Sequence, residues 1–237
     1  MNILLLMAGE PRVQSSESYP LALTEIDGVP LIEKIMGQCQ SVKYNRFIVA
    51  IQEQDIRRYR LDQVVKLLDD RAEVVVVEGL TQGAACTALL AAGLIDNMEP
   101  LLILNADEIL HVSFESVVDG FERRGLDAGT IVFRSVHPRY SFVRLDEKKN
   151  VIEAAEKNPI SNVATAGFYY FREGSDFVTA AKNLIRKDAR QNDAFYVCPT
   201  FNELILSGKV IGVHEIEAKD YSPIKSDRQL QQFASHE

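Results

Sequence analysis

The chain has 237 residues, with 26 Lys and Arg against 34 Asp and Glu and a formal net charge of −8. That length suits one large α/β domain, and the acidic balance excludes a general nucleic-acid or anionic-membrane surface, which needs a basic field. Three widely spaced cysteines, Cys39, Cys86 and Cys198, read as reduced thiols rather than a disulfide frame or zinc site; with no signal-peptide pattern and no apolar run near the roughly 20 residues of a membrane span, a cytoplasmic protein is expected.

The first predicted strand, Asn2 to Met7, carries the run Ile3-Leu4-Leu5-Leu6-Met7 and ends at Ala8-Gly9. Glycine lets the backbone turn sharply and offer its N–H groups to a ligand, so Ala8 and Gly9 are candidate phosphate-binding positions; an ordinary strand-to-loop turn uses the same pair. Pro30 to Gln40 predicts a helix, with proline near the first turn, where its missing N–H costs nothing. Strand-like runs follow at Arg46 to Ile51, Glu73 to Glu78, Leu101 to Asn105 and Gly129 to Arg134, with the helix-length segment Gln54 to Leu68 between the first two. This alternation predicts an α/β fold with a mainly parallel Rossmann-like sheet flanked by helices. The near-continuous apolarity of Val74 to Val77 and Leu101 to Leu104 fits strands buried on both faces.

Ser141 to Asp146, Asn150 to Glu156 and Val163 to Phe171 then predict a small antiparallel β platform beside the main sheet. Helices over Ser175 to Arg186 and Cys198 to Ser207, a strand over Lys209 to Ile216 and a terminal helix over Ser226 to Phe233 complete the expected elements. The short polar stretch Ala189 to Ala194 is the hinge candidate. No repeat or low-complexity linker divides the chain, which reads as a single domain.

In an open α/β sheet, ligands bind beyond the carboxyl ends of the strands where strand order reverses. The loops after the first, third and fourth predicted strands hold Gly9, Gln82 to Ala84, and Asp107, so these are expected to line one crevice. Asp107 suits Mg²⁺, a hard ion that takes one or two carboxylates together with phosphate oxygens and waters; as a bland alternative it caps the following turn. Gln52 and Gln82 are candidates for hydrogen bonds to a base edge, or are surface amides. Lys157 is a candidate phosphate contact, and its pairing with Glu156 also reads as a solvated strand end. The four histidines (His111, His137, His214 and His236) share no metal-ligand spacing.

Over most of its length the chain resembles the sugar-phosphate nucleotidyltransferases, or pyrophosphorylases. Those proteins open with a strand, a loop like A-G-x-G-x-R-[FL], then P-K-x-L and G-x-P-[LM]-[IL]. Ala8-Gly9, Pro20, Leu23 and Gly28-Val29-Pro30-Leu31-Ile32 fit, whereas Pro11 stands at the second glycine, Arg12 comes one residue early with Val13 in the arginine's place, and Leu21 replaces the lysine. The stretch Glu78 to Thr87 resembles the segment that closes over the nucleobase and ribose. Leu101 to Asp107 resembles the strand that ends in a magnesium ligand. Glu156-Lys157 and Ala166-Gly167-Phe168-Tyr169-Tyr170-Phe171 resemble the acceptor-binding segments. Thr81 to Leu90, Gly174 to Phe177 and Phe195 to Pro199 are most similar to a bacterial surface-polysaccharide subgroup that includes phosphoglutamine cytidylyltransferase-like proteins.

The resemblance implies the nucleotide-diphospho-sugar transferase fold, with residues 1–135 as the nucleotide-binding part and 136–237 as the acceptor-binding part. It implies transfer of NMP from an NTP, with CTP or dTTP as the guess, to a phosphorylated sugar or similar small acceptor for surface-glycan precursors. Arg12, Asp107 and Lys157 would be catalytic. Ala8, Gly9, Gln52, Gln82, Gly83, Ala84 and Asn105 would bind the nucleotide, and Glu156, Lys157 and Gly167 the acceptor. Asp107 and Asp220 would hold Mg²⁺, with Asp227 in reserve, and Lys219 or Lys225 would add charge from the far wall. The changes at Pro11, Val13 and Leu21 favour an alternative, a catalytically impaired homologue that binds nucleotide or nucleotide sugar as a scaffold or regulatory protein. A nucleotide-sugar-dependent glycosyltransferase, with Asn105-Ala106-Asp107 as a degenerate D-x-D motif, is the third reading. Neither a nucleic acid nor a membrane is an expected partner, and a homo-oligomer is left open.

Overall fold

The structure, a computed structural model, describes residues 1–9 and 19–224. The expected terminal helix and the positions Pro11, Arg12, Val13, Lys225 and Asp227 lie outside the described residues. Four strands, β1 (Asn2–Leu6), β4 (Arg46–Gln52), β5 (Glu73–Val77) and β6 (Leu101–Asn105), pair in parallel in the order β5-β4-β1-β6. Two short strands, β2 (Glu25–Ile26) and β3 (Val29–Pro30), pair across Asp27 (φ 53) and Gly28 (φ 72), the left-handed pair that a two-residue hairpin requires. The helix α1 (Leu31–Cys39) follows at once and buries Leu31, Ile32, Ile35, Met36 and Cys39, a helical stripe against the sheet.

The expected helix Gln54 to Leu68 is broken into α2 (Glu53–Tyr59) and α3 (Leu61–Leu68). Arg60, left-handed at φ 54, ends one helix and starts the next. Packing explains the break: α2 buries none of its side chains, while the turn at Arg60 swings Leu61 and Val65 of α3 into the core. Two short helices, α4 (Ala84–Leu89) and α5 (Ala92–Ile95), lead back to β6, and β7 (Glu108–Leu110) and α6 (Phe114–Arg123) follow it. The Ser113 hydroxyl caps α6 by accepting from the Ser116 amide at 3.2 Å.

The second half holds β8 (Ala128–Arg134), β9 (Ser141–Leu145), β10 (Val151–Glu156), β11 (Val163–Phe171), α7 (Gly174–Arg186), α8 (Thr200–Leu206), β12 (Ile211–Glu215) and β13 (Tyr221–Pro223). The expected platform forms from β9, β10 and β11, but β11 is also a central strand of the main sheet. Its first half pairs Ala164 with Phe142 and Thr165 with Ser141 of β9, and its second half pairs Phe168 to Phe171 antiparallel with Leu104 to Leu101 of β6. Along its other edge lies β8, with β12 parallel beyond it. All nine residues of β11 are buried, as a strand between two neighbours and two helical layers must be.

Two apolar clusters fill the two faces. Ile3 and Leu5 of β1 pack with α1, α3 and α6 residues such as Ile35, Val65 and Phe121; Leu4, between them in sequence, packs with Phe177 and Leu204 of α7 and α8 on the other side. The chain crosses from β5 back over β1 to reach β6, so strand order reverses at the β1–β6 boundary, where a ligand crevice is expected.

Candidate active site

A cleft of about 1140 Å³ opens at the carboxyl ends of these strands, and Gly9, Gly83 and Asp107 all line it. The turn after β1 is tied to β4 twice: the Met7 amide donates to the Ala50 carbonyl at 3.0 Å, and the Gln52 Nε2 donates to the Ala8 carbonyl at 2.7 Å. Ala8 and Gly9 both face the cavity. Gln52 does not; it is buried behind the turn as its brace. Its side-chain amide is thus directed to the Ala8 carbonyl, not into the cavity where a base edge was expected.

The loop after β5 closes on itself. The Gly83 carbonyl accepts from the Thr87 amide at 3.0 Å and the Thr81 hydroxyl at 3.2 Å, and the Thr81 and Thr87 hydroxyls lie 2.6 Å apart. Gly83 (φ 116) abuts Phe195, where a β-carbon would lie 2.4 Å from the carbonyl oxygen. Thr81, Gly83 and Ala84 line the cavity, but Gln82 is exposed outside it and contributes its carbonyl to the Phe195 amide at 2.7 Å. The Gln82 side chain, expected at a base edge, is thus not among those the structure brings to the cavity.

Asn105, Ala106 and Asp107 form the wall beyond β6. Opposite them, Gly167 of β11 leaves room for neighbouring side chains: a β-carbon there would sit 1.9 Å from Glu108 Oε1 and 2.2 Å from Asn105 Nδ2. Glu108 is buried and accepts the Tyr221 hydroxyl at 2.6 Å. Burial, then the Glu108 charge, hold that phenol well above its ordinary range.

Asp220 is not beside Asp107. The pairing of β13 with β7 puts the Asp220 carbonyl on the His111 amide at 2.8 Å, while the Asp107 carbonyl takes the Ile224 amide at the other end. The four residue steps from 107 to 111 span about 13 Å in extended chain, too far for two carboxylates that must each come within roughly 2 Å of one Mg²⁺. The structure thus does not bring Asp220 beside Asp107. Lys219 is exposed and pairs with Glu217 at 2.9 Å, so it adds no charge to the wall.

Among the described residues, the carboxylates that line the cavity are those of Asp55, Asp107 and Glu156. Burial raises the Asp55 carboxyl, and the Arg58 charge opposes the rise. Glu156 is almost fully buried at the end of β10, where the Ser141 hydroxyl donates to its Oε2 and the Gln191 side-chain oxygen accepts its amide at 2.9 Å. Among the described residues no three His, Cys, Asp or Glu side chains gather as a metal cluster. Lys157 stands just outside the cavity and donates from Nζ to the Tyr196 hydroxyl at 2.7 Å.

Leu21 lines the cavity and packs on the main core, so the wall is apolar where the resemblance expects a lysine. Two cations missed by sequence reasoning line it instead, Arg58 of α2 and Arg139 before β9, each lying over the ring of the tyrosine that follows it, at 5.3 and 4.8 Å from the centroid.

The nucleotidyl transferase family pattern matches residues 15–205. This chain belongs to the nucleotidyl transferase family. Its fold superposes on a nucleoside-diphosphate-sugar pyrophosphorylase from Vibrio cholerae RC9 with a TM-score of 0.80 at 21% identity, covering 98% of this chain and 99% of that one. A UDP-glucose pyrophosphorylase solved with UDP-glucose gives 0.77 at 13% identity, over 98% and 96% of the two chains. No match is found among curated proteins. Like the family pattern, these superpositions run through both halves of the sheet, so the central parallel strands and the β11 side belong to one shared fold. No helix among the described residues is long and apolar enough to cross a membrane.

Proposed function

We propose that this nucleotidyl transferase family member moves an NMP group from an NTP to a phosphorylated sugar or similar small acceptor, releasing pyrophosphate, with CTP or dTTP as donor and cytoplasmic surface-glycan precursors as product. The observation that carries this reading is the meeting of Gly9, Gly83 and Asp107, from three separate turns, on one cavity that extends to Glu156 and Gly167. Residues 1–135 supply the nucleotide half and residues 136–237 the acceptor half.

In this reaction the acceptor phosphate attacks the α-phosphorus in line, so the protein has mainly to align the groups and neutralise charge. The Ala8-Gly9 turn, locked by Gln52, offers backbone N–H groups to phosphate. Gly83 and Ala84, without bulky side chains, admit a flat base. Glu156, fixed by Ser141, accepts hydroxyls of the acceptor, and Lys157, Arg139 and Arg58 set a positive rim. The donor set fits Mg²⁺: Asp107 gives one carboxylate at the cavity wall, and phosphate oxygens and waters complete the shell that this ion ordinarily keeps. When bound there, the ion supplies neutralisation of the triphosphate charge.

The apolar wall at Leu21 supports a second reading, a homologue that binds nucleotide without efficient turnover, since one lost electrostatic contact costs roughly 10² to 10³ in rate. Incubation with Mg²⁺, each of the four NTPs and a panel of sugar phosphates separates the two. Pyrophosphate release from one donor–acceptor pair, abolished by chelator, is the expected result; nucleotide binding with no release from any pair selects the second reading.

A further inference from the structure

At the acceptor end of the cavity, the ammonium of Lys157 is one hydroxyl removed from the space it would serve. Lys157 leaves β10 in a left-handed conformation (φ 53), with its amide held by the Tyr140 carbonyl at 2.9 Å. Its Nζ donates to the Tyr196 hydroxyl at 2.7 Å, and Tyr196 lines the cavity whereas Lys157 does not. An ammonium can only donate, so the phenol oxygen is the acceptor in this bond and its own O–H is left to serve a third group.

The segment that carries Tyr196 is braced from two directions. Phe195 donates its amide to the Gln82 carbonyl at 2.7 Å and accepts the Ala85 amide at 3.0 Å, a two-bond ladder to the loop after β5. Upstream, Gln191 and Ala194 exchange backbone hydrogen bonds of 2.9 and 3.1 Å around Asn192 (φ 47) and Asp193 (φ 59), a tight hairpin of the type that needs two left-handed residues. Through the Gln191 side chain that hairpin also holds the Glu156 amide. The segment expected from its polarity to be a hinge is thus a brace between the two halves of the cleft.

We propose that Tyr196 is an acceptor-phosphate-binding residue: it donates its phenolic O–H to the phosphate while accepting from Lys157, so that the lysine acts on the phosphate through the phenol. This rests on the nucleotidyltransferase reading above. A hydroxyl already hydrogen-bonded to a cation is polarised into a stronger donor, and on a fixed segment it points in one direction, which a flexible lysine alone does not. The pair therefore selects acceptors that carry phosphate over the same sugars without it.

Calorimetric titration of the intact protein with glucose 1-phosphate, inorganic phosphate, glucose, and Mg²⁺ with CTP or dTTP tests the proposal, using the wild type, Tyr196→Phe, Lys157→Gln and the double variant. Tyr196→Phe should weaken both phosphate probes about 10-fold to 100-fold, the size of a hydrogen bond to a charged group, and leave glucose and nucleotide affinity unchanged. The double variant should bind phosphate no worse than Tyr196→Phe, since the lysine acts only through the phenol. Wild-type affinity for the phosphate probes in Tyr196→Phe, equal losses for glucose and nucleotide, or no phosphate binding by the wild type would each overturn it. Failure of the wild type to bind either nucleotide strikes instead at the nucleotidyltransferase reading, so the two failures are told apart.

Discussion

Gly83 and Phe195 touch backbone to backbone: a β-carbon on the glycine would lie 2.4 Å from the phenylalanine carbonyl oxygen and 2.8 Å from its nitrogen. Neither atom is the end of a flexible side chain, and the glycine φ of 116° is one that side chains resist. Gly83→Ala should therefore destabilise the fold by about 1–3 kcal/mol from strain alone and should loosen the ladder that carries Tyr196. Denaturant titration reads the first effect; a stability equal to wild type would mean that the two segments are not docked in solution.

Asp107 contributes its carboxylate to the cavity wall while its backbone carbonyl takes the Ile224 amide. Asp107→Asn keeps the shape and removes the charge. Pyrophosphate release should fall by about 10²-fold or more, with the melting temperature unchanged, and undiminished turnover would remove Asp107 from the site.

His214 on β12 is half-buried, and burial, then the nearby Arg124 charge, lower its pKa below the ordinary 6.5. The unfolded chain consequently takes up a proton at a higher pH than the native protein does. The contribution of His214 is fully present above about pH 6.5 and is lost as pH falls from there toward the lowered native value. The melting temperature of His214→Gln should fall less steeply than that of the wild type between about pH 7.5 and about pH 5.5; parallel curves would contradict this.

The thiols should divide by burial. Cys39 and Cys198 are sealed in the core and burial pushes both pKa values far up, whereas Cys86 is partly exposed on α4, with burial raising its pKa less and the Gln82 backbone opposing the rise. A disulfide reagent should label Cys86 first in the native protein, and the other two only on unfolding. Equal rates for two thiols in the native state would show that one buried site opens.

The expected and observed bounds of the parallel strands nearly coincide at β1, β4, β5 and β6, because a continuous apolar run is recognised without its partner; β5, expected to be buried on both faces, instead lies at the sheet edge with Val76 exposed. Arg60 shows the opposite case. Nothing in Tyr59-Arg60-Leu61 announces a left-handed residue, and the break comes from the demand that Leu61 and Val65 reach the core. The helix α6 was not expected, although its Ser113 cap and buried Phe114, Val117, Val118 and Phe121 carry a readable helical period. A polar stretch such as Ala189 to Ala194 has the same composition whether it bends or braces, so only the backbone pairing reveals the hairpin.

Within the site, Gly9, Gly83 and Asp107 come together as strand order alone requires. Gln52, Gln82 and Asp220 do not line the cavity; their positions depend on register and side-chain direction, and the pairing of β13 with β7 that carries Asp220 away leaves no trace in the sequence. Leu21 was legible as a departure from the family pattern, but the presence of Arg58 and Arg139 on the cavity wall was not, since those arginines come from segments distant in the chain.

The central claim, one cleft that takes a triphosphate with its divalent ion, is tested most directly by determining the structure of the protein with Mg²⁺ and a bound NTP. Phosphates resting on the Ala8-Gly9 turn, a base against Gly83-Ala84 and the ion on the Asp107 carboxylate are the expected result. A nucleotide bound elsewhere on the molecule, with this cleft empty, would contradict the account.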